Sequence, residues 1–133
     1  MNWEFYAKLA EDNKPHLLTE EIEEAERIKS KWGFEPSETW DLDKTIAAFI
    51  LPRLAYFRDN IEGIPNYCCE YDAEMHLLNE DEAIKRWEAD LDKMILAFAL
   101  ILKDEYIVRP EEKDNQVKEG LMLFAEHFED LWS

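Results

Sequence analysis

Glycine is scarce in this chain, three residues in 133. All-β domains built from many tight turns lean on glycine for positive-φ positions, so that architecture is disfavoured. Basic residues are few as well: 15 Lys and Arg stand against 32 Asp and Glu, a formal charge of −17. Binding DNA, RNA or anionic lipid depends on neutralising phosphates with Lys and Arg, so neither a nucleic acid nor a membrane is an expected partner. Cysteine is limited to the adjacent pair Cys68 and Cys69. Neighbouring cysteines rarely bridge each other because the geometry strains the intervening peptide, and no third cysteine offers another partner. The pair also lacks the spacing and extra ligands of a zinc site. Long apolar runs are missing: the longest uncharged one, MILAFALIL at 94–102, is too short to span a bilayer. The first residues, MNWEFYAKLAEDNK, are acidic and amphipathic, with no basic stretch leading into an apolar core. These absences describe a soluble protein of a reducing cytoplasm, without a signal peptide or disulfide framework.

What is present supports one folded domain spanning 1–133. Hydrophobic residues make up 47% of the chain and aromatics 13%, enough to bury a core at this length. Residues 19–32, TEEIEEAERIKSKW, read as a helix with Thr19 as N-cap, glutamates in its first turn and lysines in its last. Gly33 then supplies a left-handed terminus, with Phe34 placed to fold back on Ile28. Pro36 forces Glu35 into an extended conformation, and Ser37, Thr39, Asp41 and Asp43 are all competent caps for the next helix. That helix runs from about 43 to 59, with Ile46, Phe49, Ile50, Leu54 and Phe57 at helical spacing. Pro52 inside it predicts a kink or a break.

Residues 59–82, DNIEGIPNYCCEYDAEMHLLNEDE, hold eight acids and no Lys or Arg. They read as a long acidic connector, irregular over about 59–79. Asn79 and Glu82 match a capping box for the helix at about 80–104, whose stripe is Ile84, Trp87, Leu91, Met94, Ile95, Phe98 and Leu102. A connector with Arg109 and Pro110 leads to a last helix near 112–131, carrying Val117, Leu121, Phe124, Phe128 and Leu131. No strand is convincing; YIV at 106–108 is too short. The fold class is all-α: a single antiparallel bundle of four to five helices with one long acidic excursion.

Three blocks, taken in order, carry a family resemblance. They are GFEPSETWDLD followed by FILPRL, then RWEADLDKMILAFAL, then EGLMLFAEHFEDLW. Together they resemble small helical proteins encoded by bacteriophages and prophages, a family of unknown function. The resemblance covers roughly 33–58 and 86–132. It implies a protein of the bacterial host cytoplasm, and it brings no catalytic residues.

Candidate chemistry is thin. Glu20, Glu21 and Glu24, followed after thirteen residues by Glu38 and Asp41, formally match the EExxE…ExxD carboxylate set of MazG-type nucleotide pyrophosphohydrolases. Such enzymes are all-α and hold Mg²⁺ against a triphosphate with clustered carboxylates. The competing account is a solvated first turn for EEIEE and capping chemistry for ExxD. His16, His76 and His127 form no Glu-x-x-His pairs, and His127 reads as a surface or core-edge side chain. Glu88 and Asp92 lie four apart at the border of an apolar stripe, where a solvated flank is the simpler account of a possible buried pair. Trp32, Trp40, Trp87 and Trp132 are read as core packing, or, where exposed, as anchors for a protein partner.

Three functions are therefore expected in turn. The first is a non-enzymatic acidic protein that binds and modulates or inhibits a host protein through a basic surface, of an anti-defence or host-takeover kind that mimics nucleic acid. Its candidate contact residues are Asp59, Glu62, Glu70, Asp72, Glu74, Glu80, Asp81 and Glu82, with no cofactor and no metal. The second is the Mg²⁺-dependent hydrolase just described. The third is a self-assembling helical protein; the oligomeric state is left open.

Overall fold

A computed structural model describes residues 3–12, 18–103 and 108–132. Among these the chain forms five α-helices and three 3₁₀ turns, with no strand and one isolated β-bridge. The helices are α1 (Trp3–Asp12), α2 (Thr19–Trp32), α3 (Leu42–Asp59), α4 (Glu80–Lys103) and α5 (Glu111–Glu126). The fold is the all-α bundle that the periodicity predicts. His16 and most of the YIV stretch lie outside the described residues.

Helix α4 is the axis of the molecule, packed by both α3 and α5. Three acids open its first turn and Lys103 closes its last, each sign matching the helix dipole. The predicted stripe is buried from Trp87 to Leu102, and Ala83, Ala97, Ala99 and Ile101 are buried beside it. A helix covered on more than one side buries more than one stripe. Fully burying a side chain such as Leu91, Met94 or Ile95 is worth about 1.5–3 kcal/mol. Trp87 is the largest fully buried side chain, edge-on to Phe57, Tyr67 and His127. Its indole N–H has no hydrogen-bond partner among the described residues.

Helix α3 rests on α4 and carries α1. Trp3 meets Tyr56 edge-on, and Ala7 lies beside Pro52 and Arg53, so α1 and α3 run antiparallel. The face α3 buries is Ala47, Leu51, Leu54 and Ala55. Of the stripe read from the sequence, Leu54 is buried and Ile50 and Phe57 pack partly, whereas Ile46 and Phe49 are exposed. Apolar residues surround most of this helix, so spacing alone did not select the face; the small side chains of Ala47 and Ala55 let a neighbour come close. Helix α3 also runs unbroken through Pro52. The missing bond costs about 3 kcal/mol, less than the combined burial of the residues that α3 packs on its neighbours.

Among the described elements, helix α2 touches only the 3₁₀ turn Pro36–Thr39 that follows it, and Ala25 is its one buried residue. Thr19 is its first helical residue instead of its cap; Leu18 occupies the cap position and makes no side-chain bond. Gly33 adopts φ 81°, and its N–H reaches the Lys29 carbonyl at 2.9 Å. Phe34 is exposed. The turn after it is held by a reciprocal capping box, in which Glu35 and Glu38 each accept the other's backbone N–H. Asp41 takes the cap position of α3 without a side-chain bond.

Helix α5 ends at Glu126, short of the predicted 131, and a 3₁₀ turn (Phe128–Asp130) follows. It buries Val117 and Gly120 against α4, while Leu121 and Phe128 face outward. The seam turned because Gly120, which has no place in an apolar count, is the point of closest approach.

Candidate functional site

The acidic segment between α3 and α4 is pinned to the core at several points. Ile61, Ile64, Tyr67 and Cys69 pack partly against it, and Cys68 is buried. Burial pushes the Cys68 thiol above its ordinary range, and both cysteines are free. Tyr67 is the main pin. Its ring stacks on His127 at 4.0 Å, and its hydroxyl donates to Asp90 at 2.8 Å. Arg86 donates to the Tyr67 carbonyl at 3.2 Å. Burial, with the Asp90 bond behind it, raises the Tyr67 phenol.

Beyond Tyr67 the chain makes a tight reversal. Tyr71 and Leu77 form an antiparallel bridge, and Leu78 donates to the Glu70 carbonyl at 2.8 Å. At the tip one Asp72 carboxylate oxygen accepts the N–H groups of both Glu74 and His76 at 2.9 Å. Those amides, His76 first, hold the Asp72 carboxyl below its ordinary value. The reversal places Met75 at φ 65°, a left-handed conformation uncommon outside glycine.

Asn79 closes the base of this reversal. Its side chain accepts from the Glu70 N–H at 2.7 Å and donates to the Cys68 carbonyl at 3.0 Å. The sequence predicts Asn79 as one half of a capping box; here its side chain ties the incoming segment to the start of α4.

The consequence is a groove of about 540 Å³ lined by Glu70, Leu77, Leu78, Asn79 and the first turn of α4, Glu80, Asp81 and Glu82. Four of the eight expected contact residues, Glu70, Glu80, Asp81 and Glu82, therefore converge. Asp72 and Glu74 sit on the turn, where His76 is their neighbour at 3.1 and 3.7 Å. No Lys or Arg of the described residues pairs with any of these six carboxylates. The positive end of the α4 dipole offsets part of their repulsion.

The remaining two candidates fall elsewhere. Glu62 is exposed but lines neither the groove nor the turn. Asp59 belongs to a different constellation, centred on Arg58. That guanidinium meets Glu88 at 2.9 Å, Asp92 at 2.9 Å and Asp59 at 3.8 Å. Glu88 and Asp92 are thus neither a bare solvated flank nor a buried acid pair, because they clamp the end of α3 to α4. Their i, i+4 spacing was visible in the sequence; the cation between them comes from 34 positions away.

The alternative carboxylate set divides too. Glu20, Glu21 and Glu24 edge a separate, smaller groove, while the Glu38 carboxylate is occupied as a cap. Glu24 pairs with Arg27 at 2.6 Å. Among the described residues no three His, Cys, Asp or Glu side chains gather closely enough to hold a metal ion.

Sequence reading missed the apolar component of these surfaces. Leu78, 64% exposed, lines the acidic groove, and Met75, 72% exposed, sits on the turn that precedes it. Of the four tryptophans read as core, only Trp87 is buried; Trp32, Trp40 and Trp132 are exposed. Their positions at helix ends, outside the α3–α4–α5 packing, explain why. No helix among the described residues is long and apolar enough to cross a membrane. Comparison with protein-family models, with curated proteins and with solved structures gives no match.

Proposed function

We propose that this is a non-catalytic, phage-encoded protein of the host cytoplasm that binds a basic surface on a host protein and blocks it. The observation that carries the reading is the convergence of Glu70, Glu80, Asp81 and Glu82 on one groove, with none of them in an ion pair with a Lys or Arg of the described residues. An intramolecular cation would be the simplest way to relieve that repulsion; its absence here among the described residues leaves the charge to an external one. The hydrogen bonds of Asn79 and Asp72 fix the backbone that carries these carboxylates, so less backbone ordering entropy is lost on binding. Exposed Leu77, Leu78 and Met75 supply apolar contact beside the charge. Such an array steers a basic partner at long range and competes with a phosphate backbone for the same channel.

Pull-down from host extract, followed by a salt titration of the captured complex, tests this. Affinity should fall steeply as salt rises, and should fall again when Glu70, Asp72, Glu74, Glu80, Asp81 and Glu82 are neutralised together. Binding that ignores both salt and the sixfold change sinks the electrostatic reading.

A further inference from the structure

Helix α3 buries Ala47, Leu51, Leu54 and Ala55 on one side. At about 100° per residue, its opposite side is Leu42, Ile46, Phe49, Arg53 and Tyr56. These residues follow one another at steps of four, three, four and three, the spacing of a seam along which a second helix packs. All are exposed, the apolar ones between 51% and 59%. The stripe holds no acid, although the chain carries a formal charge of −17. Its one charge is Arg53, whose guanidinium lies over the Phe49 ring at 3.8 Å and donates to the Phe49 carbonyl at 2.7 Å. The two halves of the stripe differ in shape. Leu42, Ile46 and Phe49 give the first half bulk. The second half borders a groove of about 460 Å³, lined by Trp3, Ala7, Pro52, Arg53 and Tyr56 where α1 lies beside α3.

A face with bulk at one end and a groove at the other complements itself. We propose that it pairs with the same face of a second copy of this chain, the two α3 helices lying antiparallel about a two-fold axis between Phe49 and Arg53. That axis sets the bulky half of each copy over the groove of the other, the isologous arrangement of a symmetric dimer. The available area agrees. Half-exposed side chains of this size leave roughly 100 Å² each, so the stripe and the adjoining Trp3 present roughly 600 Å² per copy. Two copies together hide about 1,200 Å², which reaches the range of stable, specific interfaces. Charge narrows the occupant further. A basic partner of the kind drawn to the acidic groove finds no carboxylate on the stripe, and an acidic one finds only Arg53. What remains is apolar burial, with the Arg53 guanidinium stacked among aromatic rings. The net charge of two copies opposes their pairing, but with no acid in the seam that repulsion acts at long range, where salt screens it. The stripe shares no residue with the acidic groove.

The test is sedimentation equilibrium of the full chain over a series of concentrations, in low and in high sodium chloride. Reducing agent is present so that the free cysteines cannot link copies. The mean mass should rise with concentration from that of one chain, 15.9 kDa, toward twice that value. Association should be tighter in high salt than in low, the reverse of the salt dependence expected of the acidic groove. Exchanging Ile46→Gln and Phe49→Gln together should weaken it about tenfold or more. Both residues are exposed helix positions, and an unchanged circular dichroism spectrum checks the fold. If that variant is misfolded, Arg53→Glu, which sets an acid in the seam, replaces it and should weaken association likewise. The sixfold-neutralised acidic groove should associate at least as tightly as the parent. The mass of one chain at every concentration in both salts, association that weakens as salt rises, association untouched by the seam variants, or its loss in the sixfold variant each overturns the proposal.

Discussion

Gly120→Ala is expected to destabilise the protein, although the exchange ordinarily strengthens a helix. In an exposed helix interior, alanine is favoured over glycine by about 1 kcal/mol. At position 120 an added Cβ would lie 2.4 Å from the Lys93 carbonyl oxygen and 2.4 Å from the Ala97 Cβ, with the Lys93 carbonyl carbon at 3.2 Å. Ordinary contact between carbons begins near 3.5 Å, so α5 would have to withdraw from α4 by about 1 Å. Two of the three obstructing atoms are backbone inside a regular helix and cannot rotate away. Retreat loosens the contacts of Val117 and Phe124, which pack on the same side. Overpacking of this kind costs about 1–3 kcal/mol; set against the propensity gain of about 1 kcal/mol, it leaves a net loss of up to about 2 kcal/mol. Urea denaturation followed by circular dichroism measures it, as a lower midpoint with an unchanged slope. A midpoint raised above that of the parent, as in an exposed helix, would refute the close approach. Gly33→Ala gives the contrast: nothing lies within 4 Å of its added Cβ, and only the cost of φ 81° remains, about 1 kcal/mol.

Two further outcomes are expected. Replacing Arg58 by Met should leave Glu88 and Asp92, one turn apart on α4, without their cation from α3. With the partial exposure of the cluster, the loss is about 1 kcal/mol, and a double-mutant cycle with Asp92→Asn should recover a coupling that shrinks at high salt; no measurable coupling would make the cluster decorative. The second concerns pH. The Asp72 carboxyl is held below its ordinary value, so its support of the 72–76 turn is complete above that value and is lost as pH falls through the lower, folded one. Amide exchange at Glu74 and His76 should stay slow at neutral pH and quicken only at strongly acid pH, while Asp72→Ala should quicken it at pH 7; unchanged protection in that variant would remove Asp72 as the organiser of the turn.

Much of the helical layout was legible in the residues. Helix α4 was read from its start at Glu80 through every described residue to Lys103, because its stripe is long and strictly periodic. The Gly33 terminus was read for an equally local reason: only a residue without a Cβ enters the left-handed region freely. The acid-only composition of 59–82 marked the candidate surface. Other local signals misled. Asn79 and Glu82 carry the capping pattern, yet the Asn79 side chain has better-placed partners in Glu70 and Cys68, nine and eleven positions back. Ile46 and Phe49 belong to an apolar pattern that closes around α3, so periodicity could not say which side is covered.

By itself, then, the sequence determined what depends on near neighbours: the all-α fold class, the left-handed helix terminus at Gly33, and an acid-rich stretch between α3 and α4. The tertiary structure alone decided which carboxylates share a groove, which are spent on Arg58, and where tryptophan is left exposed. The physical reason is range. Helix periodicity and capping act over three or four residues, whereas charge convergence and burial depend on chain segments brought together only when α3, α4 and α5 pack.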